Sequence, residues 1–175
     1  VEERLRLLNT DYIDVFRVCM PEEYYSPERL KATLEVLQEF KEKGKVHFIG
    51  ASSHQPRFLA ELMRKYDCFD TVMVRYNYAS QEVRENLFPL TKALDVGVVI
   101  MKPFAWPYYG IPFTRFGPIE GEKGLYTAAQ TSLRWILDCP EVATVAPGIN
   151  NVNELEEGVR AVTEDKNGID EGLLE

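Results

Sequence analysis

The sequence lacks the features that mark several common classes of protein. No apolar run approaches the roughly 20 residues that a membrane-spanning helix needs, and the first residues do not resemble a signal peptide. There is no Gly-x-Gly-x-x-Gly motif and no Walker-type loop. Basic side chains are outnumbered, with 20 lysines and arginines against 28 acidic residues and a net charge of −8. This balance argues against nonspecific binding to nucleic acid or to an anionic membrane.

Cysteine is also scarce. Cys19, Cys68 and Cys139 lie far apart, and no Cys-x-x-Cys pair exists. This spacing excludes a zinc ribbon and an iron–sulfur ligand run, so we expect no metal within this chain. An odd number of cysteines in a chain of this size favours reduced thiols and a cytoplasmic location.

What remains is the composition of a globular domain with a sizeable core. Of the 175 residues, 45% are hydrophobic and 27% are charged. No linker, internal repeat or low-complexity segment divides the chain. We therefore predict that residues 1–175 form a single domain or part of one.

Strand-like and helix-like segments alternate along the chain. The predicted strands cover residues 12–19, 46–51, 71–76, 96–101 and 142–146. Helical apolar spacing fills the intervals between them, which predicts right-handed β–α units and a parallel sheet. Five such units fit either an open doubly wound sheet or five-eighths of a (β/α)8 barrel, and periodicity does not separate the two.

Several helix boundaries are marked locally. Ser26 before Pro27 predicts a capped helix start, and Asn151 followed by Glu154 predicts a capping box. A continuous apolar stripe predicts one helix over residues 83–94, and another stripe predicts a helix over 125–137.

Polar residues gather where the predicted strands end, which is where parallel α/β folds bind ligands. They are Ser52, Ser53, His54, Arg75, Asn77, Lys102, Asn150 and Asn151. Each residue alone fits a helix cap or a turn better than a ligand contact, but five strand ends together favour a small-molecule site. Chemistry by Cys19 or His54 is a further, weaker alternative.

Two arginines lie in strands where a buried charge needs a partner. Arg17 alternates with Cys19, and Arg75 stands one residue before a strand end. We expect them to bind either an anionic substrate or cofactor group, or an acid outside this segment.

One long stretch, residues 102–123, has no regular pattern and is rich in proline and aromatic residues, including Trp106. Stretches of this length are usually functional or form a small unit of their own. We include Trp106 with Arg17 and Arg75 as candidate substrate contacts.

Several segments, taken in order, resemble one family of barrel enzymes, the aldo/keto reductases. The segments that carry the resemblance are residues 9–14 (Asn-Thr-Asp-Tyr-Ile-Asp), 43–53, 70–77, 98–103 (Val-Val-Ile-Met-Lys-Pro), 132–137 and 145–151. They resemble the fourth to eighth barrel strands and their flanks, and the Met-Lys-Pro version resembles the iron–sulfur-associated branch. The resemblance implies a (β/α)8 TIM barrel of which about the last five β/α units are present.

The resemblance also implies a catalytic arrangement that this chain matches only in part. The family's catalytic aspartate, tyrosine and lysine belong to barrel strands that nothing here matches. Its catalytic histidine is matched by Cys19, and a thiol does not replace an imidazole in a proton relay.

The part of the family pattern that binds the cofactor is better matched. It implies that Ser52, Ser53, Met73 and Met101 contact the nicotinamide, with Lys102 beside them. The adenosine and phosphate side is implied to consist of Pro147, Gly148, Ile149, Asn150, Asn151 and Glu154. Glu154 stands where the family has an arginine for the 2′-phosphate, so NAD is slightly favoured over NADP.

Two functions remain open at this point. The first is an NAD(P)-dependent oxidoreductase that transfers hydride between nicotinamide and a small-molecule carbonyl or alcohol. The second is a non-catalytic relative that binds a nucleotide or a partner, favoured by the substitutions at Cys19, Met73 and Glu154. Unpaired sheet edges predict that the chain needs an N-terminal half, a second chain or self-association for stability.

Overall fold

A computed structural model of the chain describes residues 1–20, 26–104, 119–121, 124–126 and 128–163. In chain order its elements are α1 (Glu2–Leu8), β1 (Ile13–Cys19), α2 (Pro27–Glu42), β2 (Val46–Ser53), α3 (Pro56–Lys65), β3 (Thr71–Arg75), α4 (Val83–Asn86), α5 (Phe88–Ala93), β4 (Gly97–Met101), β5 (Ile119–Gly121), β6 (Gly124–Tyr126), α6 (Ala128–Leu137), β7 (Thr144–Ala146) and α7 (Val152–Thr163). The five predicted strands are confirmed as β1, β2, β3, β4 and β7.

These five strands form one sheet in the order β1-β2-β3-β4-β7. The pairings β1–β2, β2–β3 and β4–β7 are parallel, as the alternation of strands and helices predicts. Separately, β5 pairs with β6 in antiparallel fashion, so the part of the stretch 102–123 that the structure describes includes the short strand β5, where no regular pattern was predicted. In the described residues, no helix is long and apolar enough to cross a membrane.

The chain divides into two compact units. The first consists of residues 1–74 and 85–98, and the second of residues 75–84 and 99–175. Each unit is described below by itself.

In the first unit a charged pair connects a helix to the sheet. Lys41 on α2 contacts both carboxylate oxygens of Asp70 at 2.7 and 2.9 Å. One of these oxygens, Oδ2, also accepts a 2.7 Å hydrogen bond from the backbone N–H of Ile49 on β2. The predicted cap of α2 is confirmed, because the Ser26 hydroxyl oxygen accepts from the backbone N–H of Arg29.

Two helix predictions differ from the structure in their bounds. The helix predicted over 83–94 is divided into α4 and α5, and Pro89 lies in the first turn of α5. Proline has no N–H to continue the ladder of α4, so the apolar stripe runs across two short helices. The helix predicted over 125–137 begins only at Ala128, since Leu125 belongs to β6.

In the second unit α6 and α7 pack against each other. Leu133, Trp135 and Ile136 on α6 are buried. The Nε of the buried Arg134 donates a 3.0 Å hydrogen bond to the carbonyl of Ala161 on α7. Apolar contact and this bond together hold the two helices beside β7.

Candidate functional site

A cavity of about 300 Å³ lies in the second unit, at the point where β7 ends and α7 begins. Its walls come from the loop after β7, from α6 and α7, and from Phe104. The lining residues are Phe104, Ala129, Leu133, Pro147, Gly148, Ile149, Asn150, Glu154, Glu157 and Gly158. Most of these residues are apolar or glycine, with a few polar groups at one side, as in small-molecule sites.

The loop after β7 is held in place by a variant of the predicted capping box: the Asn151 cap is confirmed, but the Glu154 carboxylate accepts from the backbone N–H of Asn150 and not from that of Asn151. The Asn151 Oδ1 accepts from the backbone N–H of Glu154 at 3.0 Å, and the Glu154 Oε1 accepts from Asn151 Nδ2 at 3.0 Å. The second carboxylate oxygen of Glu154 accepts from the backbone N–H and the Nδ2 of Asn150, at 2.8 and 3.0 Å. Glu154 therefore fixes the loop and brings a carboxylate to the cavity wall.

Gly148 lies in an open part of this loop. A Cβ atom placed on it would have no heavy atom within 4 Å, and the residue is exposed. Its position shortly before the N-terminus of α7 allows a ligand anion to approach the backbone closely.

At the end of β4, Lys102 is exposed and has the left-handed φ of 57°. Its carbonyl accepts a 2.9 Å hydrogen bond from Nδ2 of Asn77, a residue that is almost completely buried. Met101, directly before it, is half-buried and pairs in register with Ala146 on β7. The end of β4 therefore lies beside the start of the loop that lines the cavity.

The end of β3 carries the second predicted arginine. Arg75 Nε donates to Ser80 Oγ at 3.0 Å, and its guanidinium lies 3.6 Å from the carboxylate of Glu82. The expectation of an acid outside this segment was therefore wrong, because the turn that follows β3 brings Glu82 back to Arg75. The guanidinium is mostly shielded, with an exposed side-chain fraction of 18%.

The predicted residues of the first unit lie on neighbouring strands. Register pairs Cys19 with Ser52, and Ser52 with Met73, so the three form a row across the sheet. Ser52 and Ser53 are buried, and the Ser53 hydroxyl bonds to both the side chain and the backbone N–H of Gln55. The Ser53 hydroxyl therefore serves a local turn.

The expectation that Arg17 is buried was wrong. Arg17 is exposed, and so is Cys19, because β1 is an edge strand whose residues from Asp14 onward are half-buried or exposed. His54 is exposed too, while Trp106 lies outside the described residues.

The three thiols are not in disulfides. Burial raises the pKa of the Cys68 and Cys139 thiols, which lowers their thiolate fraction at neutral pH. Among the described residues, no group of three or more histidine, cysteine or acidic side chains is arranged to hold a metal ion.

Sequence reasoning identified half of the cavity wall and missed the rest. The residues from Pro147 to Asn150 and Glu154 were predicted, and they line one cavity. Ala129 and Leu133, four residues apart, and Glu157 and Gly158, one turn after Glu154, were missed. Their helical spacing was a signal, since residues three or four apart share a helix face, but it did not tell which face lines a cavity.

Comparison with known proteins gives matches that agree with the resemblance seen in the sequence. A family model described as "Aldo/keto reductase family" matches residues 1–109. The L-galactose dehydrogenase of Arabidopsis thaliana is 28% identical over 198 residues, covering 99% of this chain and 60% of the relative.

Solved structures of aldo/keto reductases also match nearly the whole of this chain. An aldo/keto reductase from Klebsiella pneumoniae in complex with NADP and acetate is 20% identical, with a TM-score of 0.78 over 99% of this chain and 61% of that one. Another from the same organism, in complex with NADPH, is 20% identical with a TM-score of 0.72, over 91% and 56%. The chain thus has the fold of a large part of the aldo/keto reductase (β/α)8 barrel, and it spans about 60% of the length of these proteins.

Proposed function

Because this chain belongs to the aldo/keto reductase family, we propose that it provides the nicotinamide-dinucleotide site of an oxidoreductase. The reaction proposed is hydride transfer between the nicotinamide ring and a small-molecule carbonyl or alcohol. The observation that carries the proposal is the convergence of Pro147, Gly148, Ile149, Asn150 and Glu154 on one cavity. These are the residues for which the family resemblance implies a role in binding the adenosine and its phosphates.

The cavity fits part of a dinucleotide. Its volume of about 300 Å³ lies at the small end of ligand pockets, which suits one half of a dinucleotide better than the whole. Phe104 and Leu133 offer an apolar wall for a base, and the open backbone at Gly148 offers an approach for a phosphate.

We propose that NADH is preferred to NADPH. The Glu154 carboxylate lies in the cavity wall and already accepts three hydrogen bonds from Asn150 and Asn151. A 2′-phosphate placed near this carboxylate would be repelled, and its possible donors at these two asparagines are engaged.

The remaining site residues are proposed in the roles that the sequence analysis gives them. Ser52, Ser53, Met73 and Met101 would contact the nicotinamide, with Lys102 beside them and available for an anionic group. Arg17, Arg75 and Trp106 would bind an anionic part of the substrate. Arg75 already has Glu82 and Ser80 as partners. Because the Glu82 carboxylate partly neutralises its guanidinium, Arg75 would orient such a group but attract it less strongly.

A non-catalytic role is the second candidate. It is favoured by Cys19, which stands where the resemblance places the family's catalytic histidine. A protein of this kind would bind a nucleotide or a partner without turnover.

Partners and location are proposed from the same residues. Val15 on β1 and Phe48 on β2 are adjacent in register and exposed, so we propose that a further segment, a second chain or a second copy covers them. Three cysteines outside disulfides support a cytoplasmic location.

The experiment that separates the two candidates is an assay of hydride transfer. We expect NADH absorbance to fall when the protein, purified together with the segment or chain proposed to cover β1, is mixed with a panel of aldehydes and ketones. Gly148→Ala is the matched variant: its added Cβ has no heavy atom within 4 Å, so the protein should remain folded while the methyl group obstructs the phosphate and weakens binding and turnover. NADH binding without turnover of any carbonyl would contradict the enzyme and favour the binding protein.

A further inference from the structure

Lys102 has a backbone conformation that lysine seldom adopts. Its φ of 57° lies in the left-handed region, where a side chain with a Cβ is disfavoured. Conformations of this kind persist only where the surrounding structure enforces them, and they are concentrated at functional sites.

The left-handed turn changes where the lysine side chain lies. Along β4, Val98 and Ile100 are buried while Val99 and Met101 are partly exposed. In a continued strand Lys102 would share the face of Val98 and Ile100, and its charge would be buried there. The turn takes Lys102 out of this alternation, and the residue is exposed.

The backbone of Lys102 is contacted by the side chain of Asn77, which has an exposed fraction of 1%. Its Nδ2 donates to the Lys102 carbonyl at 2.9 Å, and its Oδ1 accepts from the backbone N–H of Ala79 at 3.1 Å. The bond from the Ala79 N–H thus fixes the orientation of the Asn77 amide, and the bond from Nδ2 holds the carbonyl of Lys102.

Lys102 is also placed beside the cavity. Met101 pairs with Ala146, so the next residues of the two parallel strands, Lys102 and Pro147, leave the sheet side by side. Pro147 lines the cavity, and so does Phe104, two residues after Lys102. An ammonium group here is well situated for an anion that enters between the two strand ends.

We propose that Asn77 is a positioning residue that holds Lys102 in its left-handed conformation, so that the ammonium group binds a diphosphate oxygen of a nucleotide in the adjacent cavity. This inference rests on the dinucleotide site proposed above and adds a residue to which the resemblance assigned no role. Asn77 acts through Lys102 and does not touch the nucleotide.

The test compares the affinities of ADP and adenosine, measured by calorimetric titration of the purified protein. The ratio of the two dissociation constants isolates the contribution of the diphosphate, and partial unfolding changes both constants alike.

Lys102→Met removes the charge at similar length. Asn77→Ser and Asn77→Thr each keep an oxygen for Ala79, add no charge, and remove the amide donor to Lys102. Thr91→Val is the matched control, because it removes a buried hydrogen bond to the carbonyl of Phe88, which lies in the first unit.

We expect ADP to bind more tightly than adenosine and Lys102→Met to reduce this preference about tenfold, the typical effect of a charged hydrogen bond. Both Asn77 variants should reduce it severalfold, and neither should reduce it further in the Lys102→Met background. Thr91→Val should lower the melting temperature and leave the preference unchanged. An unchanged preference in the Asn77 variants, or a further loss in the double variants, overturns the inference alone. If the unmodified protein does not prefer ADP, the proposed dinucleotide site fails together with it.

Discussion

At the scale of single residues, Tyr76 shows burial and charge acting in opposite directions. Its side chain has no exposed surface, and its hydroxyl accepts a 2.6 Å hydrogen bond from Nε of Arg84. Burial raises the pKa of Tyr76 to about 12, although the Arg84 guanidinium favours the phenolate. The same guanidinium lies over the rings of Tyr76 and Trp135, at 5.5 and 5.2 Å from their centroids. The protein therefore holds Tyr76 as a neutral phenol.

This predicts a loss of stability at high pH. An unfolded tyrosine loses its proton near pH 10, whereas folded Tyr76 keeps it until about pH 12. Between these values the unfolded state binds fewer protons, so the free energy of unfolding falls as pH rises, by about 1 kcal/mol between pH 9 and pH 11. Below the pKa of an unfolded tyrosine, near pH 10, the stabilisation that neutral Tyr76 contributes is fully present. Chemical denaturation across this range measures it.

Tyr76→Phe provides the control, because phenylalanine has no proton to lose. The stability difference between the unmodified protein and Tyr76→Phe should shrink as pH rises from about 9 to 11. A difference that stays constant over this range contradicts the assigned pKa.

Sequence reasoning at this scale succeeded where the partner is local. The caps at Ser26 and Asn151 bond within three residues, so spacing alone predicted them. The pairing of Arg75 with Glu82 was missed because it depends on the turn after β3, which ends in a bridge between Asn77 and Ser80. The sequence did not determine how sharply that turn brings the chain back.

At the scale of elements, the approach of β2 to β3 depends on one glycine. Gly50 pairs in register with Thr71, and a Cβ placed on Gly50 would lie 2.6 Å from the Thr71 Oγ1. Threonine is β-branched and has few alternative rotamers, so this contact is not easily relieved. Glycine is therefore required here by close packing between strands.

We expect Gly50→Ala to lower the free energy of unfolding by about 1–3 kcal/mol, as overpacking in a core does. Gly97→Ala is the matched control, since its Cβ would lie 3.6 Å from the Thr71 Cγ2, an ordinary contact. Thr71→Ala should restore much of the loss in the Gly50→Ala background. Denaturation curves that coincide for Gly50→Ala and Gly97→Ala would refute this packing argument.

The strands were predictable because their β-rich segments and the intervals between them repeat regularly along the chain. The division of the helix predicted over 83–94 was not, although Pro89 was visible, because the apolar stripe continues across it. Hydrophobic spacing reports which residues are buried and does not report where a helix is interrupted: Val83, Leu87 and Phe88 are all buried although α4 and α5 are separate helices.

At the scale of the whole molecule, the order of the segments from residue 9 to residue 151 was enough to predict a parallel α/β fold and the family. The parallel strands and the match to the aldo/keto reductase model confirm both. The cavity itself could not be predicted from the sequence, because its volume depends on how α6 packs on α7. The sequence identified the residues of the loop after β7, and only the packing of the helices made them one wall.

The central claim is that this wall binds NADH and disfavours a 2′-phosphate. The most direct test is a fluorescence titration of the purified protein with NADH and with NADPH, repeated with Glu154→Gln. Glutamine keeps the size of the side chain and one oxygen for the two bonds from Asn150, gives up the bond from Asn151 Nδ2, and removes the charge. We predict that NADH binds about tenfold more tightly than NADPH and that Glu154→Gln reduces this preference. Equal or tighter binding of NADPH by the unmodified protein, or binding of neither dinucleotide, would contradict the claim.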